Sequence, residues 1–258
     1  LVSPRGEALI PTKEASMATF VIADLHLSEA EGCDKSMEVF GRRWTGYTDK
    51  LKRNWCALVS PEDDVIIPGD ISWALSLTEA EADLRFLDAL PGRKYLGKGN
   101  HDLWWSSMTK NLAACEAWGF SSLHFLYNNA IETEEYILAG SRGWFYDEDA
   151  TGIPEGVDFN KIVAREAGRL RMSLSAARSL PGAPQKETLV FMHFPPIWNE
   201  SAVAPLLEVL NEYEVRRCYF GHIHGTYALP GTFSYGKTEF TLISADFLDF
   251  VPHIILPL

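Results

Sequence analysis

Five short β-branched or apolar runs each end in aspartate, histidine or asparagine, and this repetition constrains the fold of the chain more than any other feature. Asp24-Leu25-His26 follows Phe20-Val21-Ile22, Gly69-Asp70 follows Val65-Ile66-Ile67, and Gly99-Asn100-His101-Asp102 follows Tyr95-Leu96. His193 follows Thr188 to Met192, and Gly221-His222-Ile223-His224 follows Cys218 to Phe220. Runs of this kind read as buried strands, and the stretches between them carry helical period, so the chain is expected to be an α/β protein with helices covering a sheet. Right-handed crossovers set the carboxyl ends of successive parallel strands along one sheet edge, where such folds bind ligands. The five polar clusters are therefore expected to converge.

The remaining elements follow from the same reading. A long amphipathic helix is expected from Asp34 to Val59, with Met37, Phe40, Trp44, Tyr47, Leu51, Trp55 and Leu58 on one face despite Gly41 and Gly46. Thr78 to Glu81 reads as a capping box opening a helix to Leu90, and another helix runs from Trp105 to Trp118. Short strands are expected over Leu123–Tyr127, Ala130–Thr133 and Tyr136–Ala139, with a hairpin turn at Asn128-Asn129. Residues 144–180 read as an insertion or lid, polar and Gly-rich at first and then helical from Asp158. A helix over Ser201–Asn211 and strands over Thr238–Ser244 and His253–Leu256 complete the set. No repeat or linker interrupts residues 17–258, which are expected to be a single domain. Residues 1–16 have no periodicity and are either a tag remnant, with Met17 as the natural start, or a native extension.

Composition excludes several classes. No stretch approaches the roughly 20 apolar residues of a bilayer span. Cys33, Cys56, Cys115 and Cys218 are scattered without a CxxC pair, which argues against a disulfide framework or thiolate zinc site and for a reducing cytoplasm. The net charge of −12 repels polyanions at long range, so nucleic acid is possible as a partner but not favoured.

Aspartate, histidine and asparagine together offer oxygen and imidazole nitrogen but no thiolate, a donor set suited to Mn, Fe or Zn. Five of the seven histidines lie in the clusters; His124 and His253 are expected to be core residues. In this order DLH, GD, GNHD, HF and GHIH resemble the signature of the calcineurin-like metallophosphoesterases, from about Thr19 to the end. The resemblance implies a four-layer α/β/β/α sandwich with two mixed β-sheets and a two-metal site at the strand ends. It implies that Asp24, His26 and His224 hold one divalent metal ion, that Asn100, His193 and His222 hold the other, and that Asp70 bridges both. Two such ions with two carboxylates and a bridging hydroxide leave a site near one positive charge, which attracts a phosphate ester; the hydroxide is the expected nucleophile.

His101 has no ligand role in that scheme and is expected to be the general acid or a donor to the phosphoryl oxygens, with Asp102 either orienting it or capping the following helix. Gly-Asp-Ile-Ser-Trp departs from the GDxxDRG of the Ser/Thr protein phosphatases, and Asp102 stands where those enzymes have Glu. These departures point away from phosphoproteins, and GNHD combined with GHIH resembles the members that act on phosphodiesters, with a small-metabolite phosphomonoesterase, a non-catalytic metal-binding scaffold and a hydrolase of some other ester as alternatives. The partner is thus a phosphate-ester small molecule or nucleotide. Outside the clusters, Arg142 either reaches a phosphate with its planar donor fork or forms a surface ion pair. Lys161, Arg165 and Arg169 make a basic stripe, and Trp73, Trp104, Trp105, Trp144 and Trp198 offer either an aromatic wall or core packing.

Overall fold

In chain order the elements are β1 (Thr19–Val21), two 3-10 turns (Met37–Phe40 and Arg42–Trp44), α1 (Tyr47–Leu58), β2 (Asp64–Pro68), α2 (Glu81–Asp88), β3 (Arg93–Gly97), α3 (Met108–Trp118), β4 (Leu123–Phe125), β5 (Ala130–Glu132), β6 (Tyr136–Ser141), α4 (Phe159–Arg178), β7 (Glu187–Met192), β8 (Ile197–Trp198), β9 (Ser201–Ala202), α5 (Ala204–Glu212), β10 (Arg217–Phe220), β11 (Thr232–Tyr235), β12 (Thr238–Leu242) and β13 (His253–Ile255). This computed structural model describes residues 17–30, 35–144 and 158–257.

Two large mixed sheets form. The first has the order β13-β1-β2-β3-β4 and the second β11-β12-β10-β7-β6-β5; only β13, β5 and β11 run antiparallel to their neighbours. Apolar residues on both faces of the parallel strands bury them twice over, which is why they read as continuous runs rather than alternating ones. Val21, Ile66, Tyr95, Leu138, Leu189 and Tyr219 pack between the sheets. Leu51, Trp55, Leu84 and Leu87 cover the outer face of the first sheet from α1 and α2. Val163, Leu170, Leu174, Leu206 and Val209 cover the second from α4 and α5. The result is the expected α/β/β/α sandwich.

Several local expectations are corrected. The long helix begins only at Tyr47: Gly41 sits at φ 115° and Gly46 at φ 59°, so the chain breaks into two 3-10 turns before α1. Its expected start at Asp34 lies outside the described residues. The capping box does not form, since α2 opens after Ala80 without a side-chain cap. Asn128-Asn129 joins the two sheets rather than a hairpin, because β4 pairs with β3 and β5 with β6. The β8–β9 hairpin and β11 lie outside the expected elements: two-residue strands are too short to show a period, and the Thr-Phe-Ser-Tyr alternation of the largely exposed β11 spans only four residues. The expected insertion divides in two. Residues 145–157 lie outside the described residues, whereas α4 is part of the outer layer, with Leu170, Leu174 and Ala177 buried. His124 and His253 are exposed on the edge strands β4 and β13 and are not core residues.

Candidate metal centre

The five polar clusters do converge, but on the edges of two sheets rather than one. Asp24 and His26 follow β1, Asp70 follows β2 and Asn100 follows β3, all from the first sheet; His193 follows β7, and His222 and His224 follow β10, from the second. Backbone bonds join the edges. Ala23 N–H donates to Ile243 O at 2.8 Å and Ala245 N–H to Ala23 O at 2.8 Å, so the end of β1 bridges to the chain leaving β12.

Beyond the strand ends the backbone leaves regular geometry. Nine described non-glycine residues have positive φ, and Asp24, His26, Asp70 and His222 are four of them. Aspartate and histidine tolerate this region better than most residues, and its concentration here is the kind of local strain that accompanies a built site. Glycines give the loops room: a Cβ on Gly99 would collide with Asp70, and one on Gly221 with Asp24.

Two groups of donor atoms result, Asp24 with His26 and His224, and Asp70 with His193 and His222. The Nε2 atoms of His26 and His224 lie 3.3 Å apart, facing one point. Asn100 Oδ1 is 2.6 Å from His193 Nε2 and 3.1 Å from His222 Nδ1. Asp70 Oδ2 stands between the groups, 3.7 Å from His26 Nε2 and 3.5 Å from His193 Nε2. All seven residues expected as ligands are thus brought together, with Asp70 grouped beside His193 and His222 and Asn100 adjoining the same two histidines.

The electrostatics fit cations. Burial pushes Asp24 up to about 6. Burial, then the charges of Asp102 and Asp24, hold Asp70 well above the usual carboxylate range. Burial likewise keeps His26 and His193 well below the usual imidazole value, so both present lone pairs. Asp24 Oδ1 is buried without a hydrogen-bond partner. A buried acceptor of that kind is costly unless something positive meets it. Asp, His and Asn donors in two groups with a carboxylate between them fit two divalent ions.

Sequence reasoning missed Asp246. Its Oδ1 lies 2.8 Å from His224 Nδ1, and its Oδ2 accepts from Gly225 N–H at 3.0 Å and from the Tyr227 hydroxyl at 2.9 Å. Burial lowers the His224 pKa, but the hydrogen bond to Asp246 and the charges of Asp24 and Asp246 outweigh it and hold the ring above its usual value. The contact fixes Nδ1 as the protonated nitrogen and leaves Nε2 to face His26, as an outer carboxylate does for a metal-binding histidine. The signal was present: Ser244-Ala245-Asp246 closes β12 as the other clusters close their strands.

Asp102 does not meet the His101 ring. Its Oδ1 accepts from Ile71 N–H (2.9 Å), Ser72 N–H (3.2 Å) and Trp104 Nε1 (2.9 Å), and its Oδ2 from Gly99 N–H (2.7 Å). It is fully buried and pins the loop after β2 to the loop after β3, neither orienting His101 nor capping α3, whose N-cap is Ser107. His101 itself is half-buried, tilted against Trp73 at 4.4 Å and edge-on to His26 at 5.6 Å. Burial, then the charges of His224 and Lys35, lower its pKa.

Arg142 follows β6 as His193 follows the paired β7; the Arg142 carbonyl accepts from Phe194 N–H at 3.0 Å, and its guanidinium lies over Trp144 at 5.2 Å and Phe194 at 5.8 Å. Phe194 in turn packs on the His222 ring at 4.5 Å. Arg165 and Arg169 of the basic stripe turn to the buried Glu166, at 3.8 and 2.6 Å. Among the tryptophans, Trp73 stacks on His26 at 4.9 Å, whereas Trp104, Trp105 and Trp198 belong to the apolar cores.

Comparison with known proteins concerns the fold and the family. No curated protein matches the chain. The fold is similar to that of the phosphopantetheinyl hydrolase of Mycobacterium tuberculosis, with a TM-score of 0.52 and 16% identity over 94% of this chain and 97% of that one. It is also similar to TT1561 of Thermus thermophilus, with a TM-score of 0.54 and 11% identity over 90% of each chain. The family model of the calcineurin-like phosphoesterases matches residues 17–226, from β1 through the GHIH cluster after β10, and the chain belongs to that family.

Proposed function

We propose that this metal-dependent phosphoesterase uses the seven clustered residues as a two-metal site and favours phosphodiesters. The observation that carries the reading is Asp70 Oδ2, which lies within 3.7 Å of a histidine nitrogen from each donor group. A carboxylate oxygen in that position can serve two cations at once. Asp24, His26 and His224 would hold one ion, Asn100, His193 and His222 the other, and Asp70 both. Divalent ions there supply an ionised water at neutral pH and neutralise charge on the attacking and leaving oxygens.

The other groups of the chain divide the remaining work. His101 borders the site without belonging to either donor group, and donates a proton to the departing alkoxide. Its lowered pKa is offset as an anionic phosphoryl group approaches the ring. Asp246 holds His224 in one tautomer, and Asp102 holds the Asp70 and Asn100 loops together. Arg142, next to the His193 strand end, offers its guanidinium to a phosphoryl oxygen or to the second substituent of a diester. The distinct surroundings on either side of the donors, with Arg142 and Phe194 on one and Trp73 and His101 on the other, favour a diester over a monoester.

The test is hydrolysis of p-nitrophenyl phosphate and bis-p-nitrophenyl phosphate by metal-stripped protein refilled with Mn. Diester turnover that EDTA abolishes is expected. Preference for the monoester would instead favour a small phosphorylated metabolite, and bound metal without turnover of either would favour a binding scaffold.

A further inference from the structure

The cavity over the donor groups has one wall that the metal chemistry does not require. It has a volume of about 360 Å³ and is lined by His26, Asp70, His101, His222 and His224 on its floor. Met37, Phe40, Trp44, Trp73 and Tyr227 form its side. The size is at the lower end of the roughly 300–1,000 Å³ of small-molecule sites, enough for one ring system beyond the phosphoryl group.

That wall is held in place. Trp73 is stacked on His26 and has Lys35 Nζ 5.4 Å from its centroid. Tyr227 is fixed through its hydroxyl to Asp246, with the Arg43 guanidinium over its ring at 4.2 Å. Phe40 joins the lining from the 3-10 turn Met37–Phe40, where Ser36 caps one end and Gly41 turns the chain at the other. It is 70% exposed, so it contributes little to the core and leaves apolar area free beside the cavity that it lines.

The position of the wall decides which part of a substrate it meets. His101, the group able to protonate a departing oxygen, lines the same cavity, while Arg142 lies beyond Phe194 and is not among its lining residues. An alcohol leaving toward His101 enters the cavity that Met37, Phe40 and Trp73 also line, with Trp73 4.4 Å from the His101 ring. Resting on the phosphoesterase reading above, we infer that this wall is the leaving-group subsite and selects esters of an aromatic or bulky apolar alcohol, with Phe40 as a specificity-determining residue.

Binding of benzylphosphonate and methylphosphonate to the Mn-refilled protein, measured by calorimetry, tests this without requiring turnover. Benzylphosphonate is expected to bind roughly tenfold or more tightly, the effect of removing a phenyl ring from water. In Phe40→Ala the ratio between the two should fall to within about threefold of one, and Phe40→Trp should restore it. The exposure of Phe40 means that the variant keeps its fold, which an unchanged melting temperature checks. Equal affinities in the wild type, or a ratio unaltered in Phe40→Ala, would overturn the inference and leave the phosphoesterase reading standing. Failure of both phosphonates to bind would overturn the two-metal reading of the seven clustered residues, and this inference with it.

Discussion

Asp70 and His101 stand 31 positions apart yet are joined directly, since the His101 N–H donates to Asp70 Oδ1 at 2.8 Å. The proposed roles give their side chains separable tasks, and substitution should separate them. In Asp70→Asn one anionic oxygen facing both donor groups is lost, so metal content and turnover should fall together. His101→Ala removes only a group bordering the site: both metals should remain while turnover drops by roughly two to four orders of magnitude, the usual weight of general acid catalysis. Metal analysis alongside kinetics distinguishes the two, and loss of metal from His101→Ala would show that the roles are misassigned. The residue identities were legible in the sequence because each cluster closes an apolar run. Asp102 was misread because a carboxylate beside a histidine looks like its partner, whereas here four N–H groups from two loops surround it.

The loops after β1, β2 and β3 run side by side, with His26 N–H donating to Asp70 O at 2.9 Å. Gly99 makes that approach possible, because any Cβ there would strike the Asp70 backbone and carboxylate. Gly99→Ala should therefore weaken Mn binding by about an order of magnitude or more, as displaced supporting groups do at other metal sites; titration of the stripped variant with Mn would reveal it, and unchanged affinity would rule out the clash as a constraint.

A second brace comes from α2, where the nearly buried Asp83 accepts from Glu29 N–H at 2.7 Å and from the Ser72 hydroxyl, tying the β1 and β2 loops together. Burial raises Asp83 from 3.8 to about 6. Between those values the folded chain binds a proton that the unfolded chain has released, so the Asp83 contribution to stability is full below about pH 4 and is lost as pH rises through 6. That contribution is on the order of 2 to 3 kcal/mol. Urea unfolding from pH 4 to 7 should show a downward slope that is weaker in Asp83→Asn; parallel curves would exclude the effect. Elements like α2 were visible as helical periods, but their braces were not, because a hydrogen bond across 54 positions leaves no local pattern.

Each donor group draws on both sheets, Asp24 and His26 with His224, and Asp70 with His193 and His222. Cations held there would tie the two layers of the sandwich across their shared edge, and binding to the folded state alone stabilises it. At a Mn concentration about 100 times the dissociation constant the gain is about 2.7 kcal/mol, which for a chain of this size raises the melting temperature by roughly 5 to 10 °C. Thermal melts of EDTA-stripped and refilled protein should differ by that amount, and coincident melts would argue against cations at the sheet junction.

At this scale the division between sequence and structure is clear. Period, apolar runs and the residues closing them determined the α/β class, most strands and helices, and which polar residues close the strands, because these depend on neighbours within a few positions; the expected ligand roles came from the resemblance of those clusters to a family signature. Tertiary structure alone decided that the clusters meet across two sheets, that Asp246 completes the His224 pair, that Asp102 serves the backbone, and that Phe40 and Trp44 leave an expected helix to border the site. Such outcomes depend on which distant surfaces pack together, and on glycines whose left-handed turns override a helical pattern that the side chains alone would continue.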